Sequence, residues 1–500
     1  MEGVARIFFN GYFFGGLFLG LAALYGFVSG AGILSTLSGF FYIIVVSLLS
    51  LNKTFRKSQF SILFCFYTFL YFNIPVAFIL FEGSDYIFGG SIGALPFAQS
   101  DYKQSLPLGF LYLTVCWAAA WLGIISVNTS RRIINQREFS SIRLVPVLLL
   151  GVVVLAITWF DIRDYLDVRL SSGLQKVNSS LAFIFFDYAY LILAGLILFF
   201  KLNEPKYVVN SRNITILMSA LFIAFIFLFY NAGSRAAILA VFVYLVLYPA
   251  SFINAYAQVR IPFPSVKFLI IFALLALLLF YFAHIQRLNF WSGIEADLII
   301  VSEISKFQIN TIYEILNQIL YRLSQGGMDQ FLLIFQSFII DSFDPDTASK
   351  FVIYLGKNTL NLVLLGTPFP EAYAPSSQLF PQVIEKNLVG WTKGADSRAL
   401  IISLNTQPYT IFGIFMVISG VIAPILLGLF SLLFMVFFKK ASNIFVKITM
   451  LYFFTAAFTS YGIEVVVGNS AHLFVSILLM YFIMKILSRL QDRLSARTTN

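Results

Sequence analysis

A short segment between two long apolar runs carries the residues best suited to bind an anion. Gly233, Ser234 and Arg235 stand between apolar stretches near 214–230 and 236–254. Gly233 permits a tight reversal, and Ser234 is a good N-cap for a helix that begins near Arg235. The free amides of such a helix end attract negative charge, and an arginine fork can bind two phosphate oxygens at once. The segment therefore predicts a phosphate site, with a snorkelling arginine at a helix end as the alternative.

The other ionisable candidates collect near the predicted outer ends of the apolar runs. They are Arg287, Glu464 and the two histidines of the chain, His284 and His472. His284 and Arg287 lie three positions apart, so they share a face if their helix continues that far; interfacial anchoring of that helix is the alternative. The middles of the runs contain almost no ionisable residue. Because charges inside a membrane usually mark ion pathways, this distribution argues against a proton-coupled carrier.

Composition predicts a membrane protein built from helices. Of the 500 residues, 59% are hydrophobic and 11% are charged, whereas soluble domains carry roughly 25% charged residues. The apolar runs are about 20 residues long, which is the length of a helix that crosses a ~30 Å hydrocarbon core and about twice that of a barrel strand. We therefore predict an all-α, polytopic fold of about twelve transmembrane helices. The runs are centred near 7–29, 32–51, 59–81, 107–127, 144–160, 181–200, 214–230, 236–254, 267–284, 408–437, 446–466 and 470–487.

Alternate connections between the runs are basic. The positive-inside rule assigns these connections and both termini to the cytoplasm, so the net charge of +10 reports orientation and not a nucleic-acid partner. The basic residues are Lys53, Arg56 and Lys57; Arg131, Arg132, Arg137 and Arg143; Lys201, Lys206 and Arg212; Arg260 and Lys267; Lys439, Lys440 and Lys447; and, in the tail, Lys485, Arg489, Arg493 and Arg497.

One outer connection is far longer than the rest. Residues 285–407 separate runs nine and ten, so we divide the chain into 1–284, 285–407 and 408–500. Insertions of this length usually carry function or structure of their own. Apolar residues recur at helical spacing over 312–323 and a second helix is predicted near 328–340. From Asp344-Pro345-Asp346 onward, turn-forming residues predict a folded cap.

Two motifs resemble the O-antigen polymerase and O-antigen ligase superfamily. The run Tyr230–Leu239 resembles the Gly-Ser-Arg segment of that group. The run Gln407–Gly413 resembles the Tyr-x-x-Phe-Gly stretch of the same group. The predicted layout, with a large periplasmic loop between helices nine and ten, is similar too. The resemblance implies glycosyl transfer from an undecaprenyl-pyrophosphate-linked saccharide at the periplasmic face of a bacterial inner membrane. It implies no cofactor and no metal, and it implies a chain-length-regulating co-polymerase as a partner.

The chemistry of such a transfer assigns roles to the candidate residues. Fixed guanidinium and amide donors stabilise the departing pyrophosphate, and a general base accepts the proton of the attacking hydroxyl. The sequence spacing does not identify which of the candidate residues is the general base. The catalytic candidates are Arg235, Arg287, Arg398, His284, Glu371 and Glu464; the substrate-binding candidates are Gly233, Ser234, Arg322, Tyr373 and His472.

Several functions remain open at this point. A polymerase uses another lipid-linked repeat unit as acceptor, whereas a ligase uses lipid A-core. A lipid-linked oligosaccharide flippase would place charges along a central path, and a structural subunit of an envelope complex would not need the outer arginines. Ordinary structural roles compete at single positions: Arg322 can belong to a solvated helix face, and Glu371 and Tyr373 to a plain polar loop.

The predicted orientation can be tested by thiol labelling. In a background in which Cys65 and Cys116 are replaced by serine, a cysteine at Ser302 should react with an impermeant maleimide in intact spheroplasts. A cysteine at Ser130 should react only after lysis. The reverse pattern would place the 285–407 insertion in the cytoplasm.

Overall fold

A computed structural model describes part of the chain in detail. It covers residues 99–127, 141–154, 189–197, 345–364, 368–369, 411–459 and 463–498, with scattered positions between 37 and 63 and at 156, 248 and 335. All regular structure within these ranges is helical, which confirms the predicted helical class for this part of the chain. The count of about twelve spans and the division at 284 and 407 stay predictions.

Six helices have complete bounds. Helix α5 is capped by Asn443, whose Oδ1 accepts the Phe445 N–H at 2.8 Å, and Lys439 and Lys440 occupy the last turn of α4, where cations interact favourably with the helix dipole. Shorter helical stretches cover Leu144–Val154 and 189–197. The six helices are α1 (Gln99–Ser126), α2 (Pro345–Val363), α3 (Ile411–Ser419), α4 (Ala423–Lys440), α5 (Ile444–Thr459) and α6 (Ile463–Thr498), with a 3-10 turn at Gly420–Ile422.

The chain divides into two compact units. One contains helices α1 to α5 and the beginning of α6, up to Ala471. The other contains the stretches 141–154 and 189–197 and the rest of α6, from His472. In this second unit the Tyr190 hydroxyl donates to the Val147 carbonyl at 2.9 Å.

Helix α3 folds back onto α4, so the predicted span 408–437 is helical but interrupted. The ring centroids of Phe415 and Phe430 are 5.8 Å apart, whereas 15 positions along one straight helix would separate their backbones by about 22 Å. Gly420 allows the reversal by adopting φ 54°, a left-handed conformation that favours glycine. Pro424 has no N–H to donate to the Gly420 carbonyl. That carbonyl accepts the Ala423 N–H and also the Tyr112 hydroxyl of α1, the latter at 2.7 Å.

Helices α1 and α4 approach each other through glycine. A Cβ on Gly123 would meet the Gly428 carbonyl oxygen and would lie 2.8 Å from both the Leu432 nitrogen and the Ser431 Cβ. A Cβ on Gly428 would lie 3.2 Å from the Ala119 carbonyl oxygen. Small residues of this kind let helix backbones pack closely, as is common among membrane helices.

Aromatic rings fill the core of this unit. The Phe60 ring lies 4.7 Å from Phe438 and 5.0 Å from Phe454, centroid to centroid. On α3, Phe412 lies 4.8 Å from Trp117 and 5.3 Å from Phe458. Because six of the nine residues of α3 are buried, this short helix lies in the interior of the unit, as expected of a helix that is apolar all round.

The outer faces of the helices are apolar. Two stretches, Ile411–Lys440 and Val466–Arg497, are long and apolar enough to cross a membrane by length and composition. Within the first stretch, α4 alone has 18 residues, which corresponds to a helix length of about 27 Å. Exposed stripes at helical spacing follow Val421, Ile425, Leu429, Leu433 and Phe437 on one helix and Val475, Leu479, Phe482, Ile486, Leu490 and Leu494 on the other.

The glycine contact predicts opposite effects for two equivalent substitutions. Gly123→Ala should lower the apparent Tm of the purified protein in detergent, because forced overpacking costs about 1–3 kcal/mol. Gly356→Ala on α2 is the control, since its Cβ would meet nothing within 4 Å; it should raise stability by ~0.5–1 kcal/mol through helix propensity. Equal Tm values for the two variants would contradict the close approach of α1 and α4.

Candidate functional site

Two of the predicted site residues, Glu464 and His472, lie in the part of the chain that the structure describes. Both belong to α6. The other predicted site residues, Gly233, Ser234, Arg235, His284, Arg287, Arg322, Glu371, Tyr373 and Arg398, lie outside the described residues. Their assignments stay predictions.

Glu464 is a buried carboxylate at the beginning of α6. It lies in the first turn of the helix, where the helix dipole favours a negative charge, and it is 1% exposed. Burying an ionisable carboxyl group is costly unless neighbouring groups compensate for it. Buried carboxylates with polar neighbours are therefore frequent at functional sites.

Helix α2 packs against this end of α6. A Cβ on Gly468 would lie 2.9 Å from the Cβ of Leu362. Burial raises the pKa of the Tyr354 hydroxyl, and the negative charge of Glu464 raises that pKa further. Tyr354 is protonated at neutral pH, as any phenol is, and can donate a hydrogen bond.

Asn358 lies on α2 between Tyr354 and Leu362. The three residues follow each other at intervals of four, which places them on one face of the helix. Of this face, Leu362 lies next to Gly468 of α6, and Tyr354 lies within electrostatic reach of Glu464. Asn358 is 3% exposed, and within the described part of the chain its side-chain nitrogen donates no hydrogen bond.

Asn361 on the same helix is held in a different way. Its Nδ2 donates to the Phe369 carbonyl at 2.9 Å, and its Oδ1 accepts the Phe369 N–H at 3.0 Å. The Nζ of Lys357 lies 5.7 Å from the centre of the Phe369 ring. These contacts fasten the segment after α2 to the helix, so the role of Asn361 is structural.

Sequence reasoning missed α2 and both of its buried asparagines. The Asp344-Pro345-Asp346 triplet predicts a turn, but α2 begins at Pro345. Proline is also common at the first position of a helix. The polar pair Asn358 and Asn361 within an apolar stretch was the available signal, because buried amides usually have a reason to be there.

His472, the other predicted site residue on α6, is half-buried and belongs to the other compact unit. Its carbonyl accepts the Ser476 hydroxyl at 2.7 Å, a hydrogen bond within the helix.

Glu464 and Tyr354 together combine an acceptor with a donor. A carboxylate and a phenol can bind a hydroxyl group between them, and the carboxylate can accept its proton. No family model, curated protein or solved structure matches this chain.

The structural role of Asn361 predicts a specific loss. Asn361→Ala should lower the apparent Tm and speed proteolysis near Phe369, because two backbone groups lose their partner at about 1–3 kcal/mol in total. Thr359→Ala is the matched control, since the Thr359 hydroxyl bonds only within the helix, to Leu355 at 2.7 Å. An Asn361→Ala protein as stable as the control would show that the clamp on Phe369 contributes nothing.

Proposed function

We propose that this chain is a polytopic protein of the bacterial inner membrane that polymerises undecaprenyl-pyrophosphate-linked oligosaccharide repeat units at the periplasmic face. The observation that carries the proposal is the Gly233-Ser234-Arg235 segment, in a chain whose alternate connections are basic and whose insertion at 285–407 follows the ninth predicted span. The bilayer and the lipid-linked saccharide are its partners, with a chain-length-regulating co-polymerase as a further one.

The polarity of the described helices supports the membrane location. Helices α4 and α6 expose stripes of large apolar side chains. A helix that faces water exposes polar residues, whereas the polar groups of membrane helices face the protein interior.

An ion pair supports the assignment of two segments to the same side of the membrane. Arg143, from a connection that the positive-inside rule assigns to the cytoplasm, lies 3.0 Å from Asp492 of the C-terminal tail. Its backbone N–H also donates to the Ser488 hydroxyl at 2.9 Å. Two segments assigned to the same side of the membrane are thus adjacent.

The proposed reaction is a direct displacement without a metal. A hydroxyl of the acceptor saccharide attacks the anomeric carbon of the donor, and the bond from that carbon to the pyrophosphate oxygen breaks. The electron pair leaves with the undecaprenyl pyrophosphate, whose charge the guanidinium groups of Arg235, Arg287 and Arg398 stabilise. The proton passes from the attacking hydroxyl to a general base, for which Glu464, Glu371 and His284 are candidates.

An O-antigen ligase is the alternative function that is most similar to the proposed polymerase. It would use the same donor and the same pyrophosphate clamp, and the Gln407–Gly413 stretch favours it as much as a polymerase. Only the acceptor distinguishes the two. Deletion of the gene separates them, because loss of a polymerase leaves single repeat units on the lipid core, loss of a ligase leaves none, and loss of a flippase stops export.

The clamp is tested by complementing the deletion strain. Arg235→Ala and Arg235→Lys should each lower polymer formation by about 100-fold or more, because removing one preorganised donor has effects of this size. The surface polysaccharide is followed on a gel at matched expression. Arg143→Ala is the control: it removes an exposed ion pair, which contributes about 0–1 kcal/mol, and it should leave the full ladder. Normal ladders from both Arg235 variants would refute the clamp.

A further inference from the structure

Helix α6 is much longer than a bilayer requires. It runs from Ile463 to Thr498, which is 36 residues, or about 54 Å. A hydrocarbon core of ~30 Å takes about 20 residues, so about sixteen remain for the lipid headgroups and the water beyond them. The positive-inside rule assigns the C-terminal part of this excess to the cytoplasm.

Cations line one side of the C-terminal part of α6 at a regular interval. They follow one another every fourth residue, which places them in one row along the helix. This cationic row consists of Lys485, Arg489, Arg493 and Arg497. The three arginines are exposed, whereas Lys485 is half-buried, with its Nζ 5.6 Å from the centre of the Tyr481 ring. The positive-inside rule calls for an excess of cations in this segment, but it does not call for a single row.

An exposed apolar row runs beside the cationic row. Ile486, Leu490 and Leu494 each follow a residue of the cationic row directly, and they are 57%, 48% and 65% exposed. They continue the exposed apolar stripe of the predicted span, which reaches them through Phe482. The apolar surface of the span therefore extends without a break into the part of the helix that carries the cations.

The opposite face of this segment is held by the protein. Ser488 is buried and accepts the backbone N–H of Arg143 at 2.9 Å, and Asp492 pairs with the Arg143 side chain. These two residues lie two positions before Leu490 and Leu494, which is about 200° around the helix. The contacts with Arg143 consequently direct the apolar row away from the neighbouring segment. Asp492 is also the one acidic residue in 485–497, and Arg143 balances its charge.

We infer that residues 485–497 of α6 are a binding surface for anionic phospholipids of the cytoplasmic leaflet. The cationic row contacts the headgroup phosphates, and the apolar row enters the boundary of the acyl chains. A basic row beside an apolar row is typical of helices that lie in the membrane interface, and a helix longer than the hydrocarbon core reaches this position by tilting. The inference rests on the membrane location in the proposed function and not on the glycosyl transfer.

A second copy of the chain is a less suitable occupant of this surface. Two parallel copies that joined their apolar rows would bring the flanking cationic rows close together, and like charges opposite each other are unfavourable. An anionic leaflet attracts each of these cations, within a distance set by the Debye length. Charge complementarity therefore favours lipid.

The test measures the environment of the apolar row directly. With Cys65 and Cys116 replaced by serine, Leu494→Cys carries an NBD fluorophore, and the full-length protein is reconstituted into phosphatidylcholine liposomes with increasing fractions of phosphatidylglycerol. We expect the emission to shift to the blue and acrylamide quenching to fall as the anionic fraction rises. Salt at about 0.5 M should reverse both changes, because it shortens the Debye length to a few ångströms.

Two triple variants separate charge from packing. Replacing Arg489, Arg493 and Arg497 together by glutamine should raise the phosphatidylglycerol fraction needed for the half-maximal shift by about fivefold or more, the effect of losing even one cation near an anionic surface. The matched control replaces the same three arginines by lysine, which keeps the charge, and should respond like the unsubstituted protein. All three side chains are exposed, so neither variant should change the apparent Tm.

Several results would overturn the inference. A label that is equally protected or equally quenched at every lipid composition would show that the cations do not bind the leaflet, as would a glutamine variant that responds like the control. Protection that follows the protein-to-lipid ratio, and not the anionic fraction, would assign the apolar row to a second copy. The salt titration needs no charge variant, so it decides the question even if the glutamine protein fails to fold. The polymerase activity is judged separately by the Arg235 ladders.

Discussion

The outer faces of the described helices are apolar, and several buried hydroxyl groups find their hydrogen-bond partners within the helix that carries them. The hydroxyls of Thr455, Ser470 and Ser488 each donate to the carbonyl four residues earlier, the short-range solution available when no water is near. Where the helix is interrupted at Gly420, the carbonyl accepts the Ala423 N–H and also the Tyr112 hydroxyl of α1. The second of these bonds ties the reversal between α3 and α4 to α1.

The reversal at Gly420 determines how the first unit is built. It lets α3 enter the interior as a short helix, buried against the rings of Trp117 and Phe458, while α4 continues alone along α1. Helix α2 in turn packs against α3, and it buries Asn358 and Asn361. Interrupted helices in membrane transporters likewise bring polar groups into an apolar interior.

Run length and hydropathy predicted the parts of this fold that depend on local sequence. Helices α1, α4, α5 and α6 all overlap predicted apolar runs, and Glu464 was selected because ionisable residues collect near the predicted outer ends of these runs. The break at Gly420 was not predicted, and the Tyr112 hydroxyl that bonds its carbonyl lies 308 positions away along the chain. Asn358 and Asn361 were missed because neutral amides carry no charge signal, and only the fold distinguishes the paired one from the other.

The proposed reaction needs opposite electrostatic environments at its two ends. A departing pyrophosphate requires cations, whereas a carboxylate next to a guanidinium becomes a weaker base for the attacking hydroxyl. An α2 side chain placed near Glu464 is that of Tyr354, an uncharged phenol. A phenol can orient a hydroxyl group without placing a positive charge beside the carboxylate. A base of this kind therefore belongs on helices separate from the arginine clamp, which is how the sequence distributes Glu464 and Arg235.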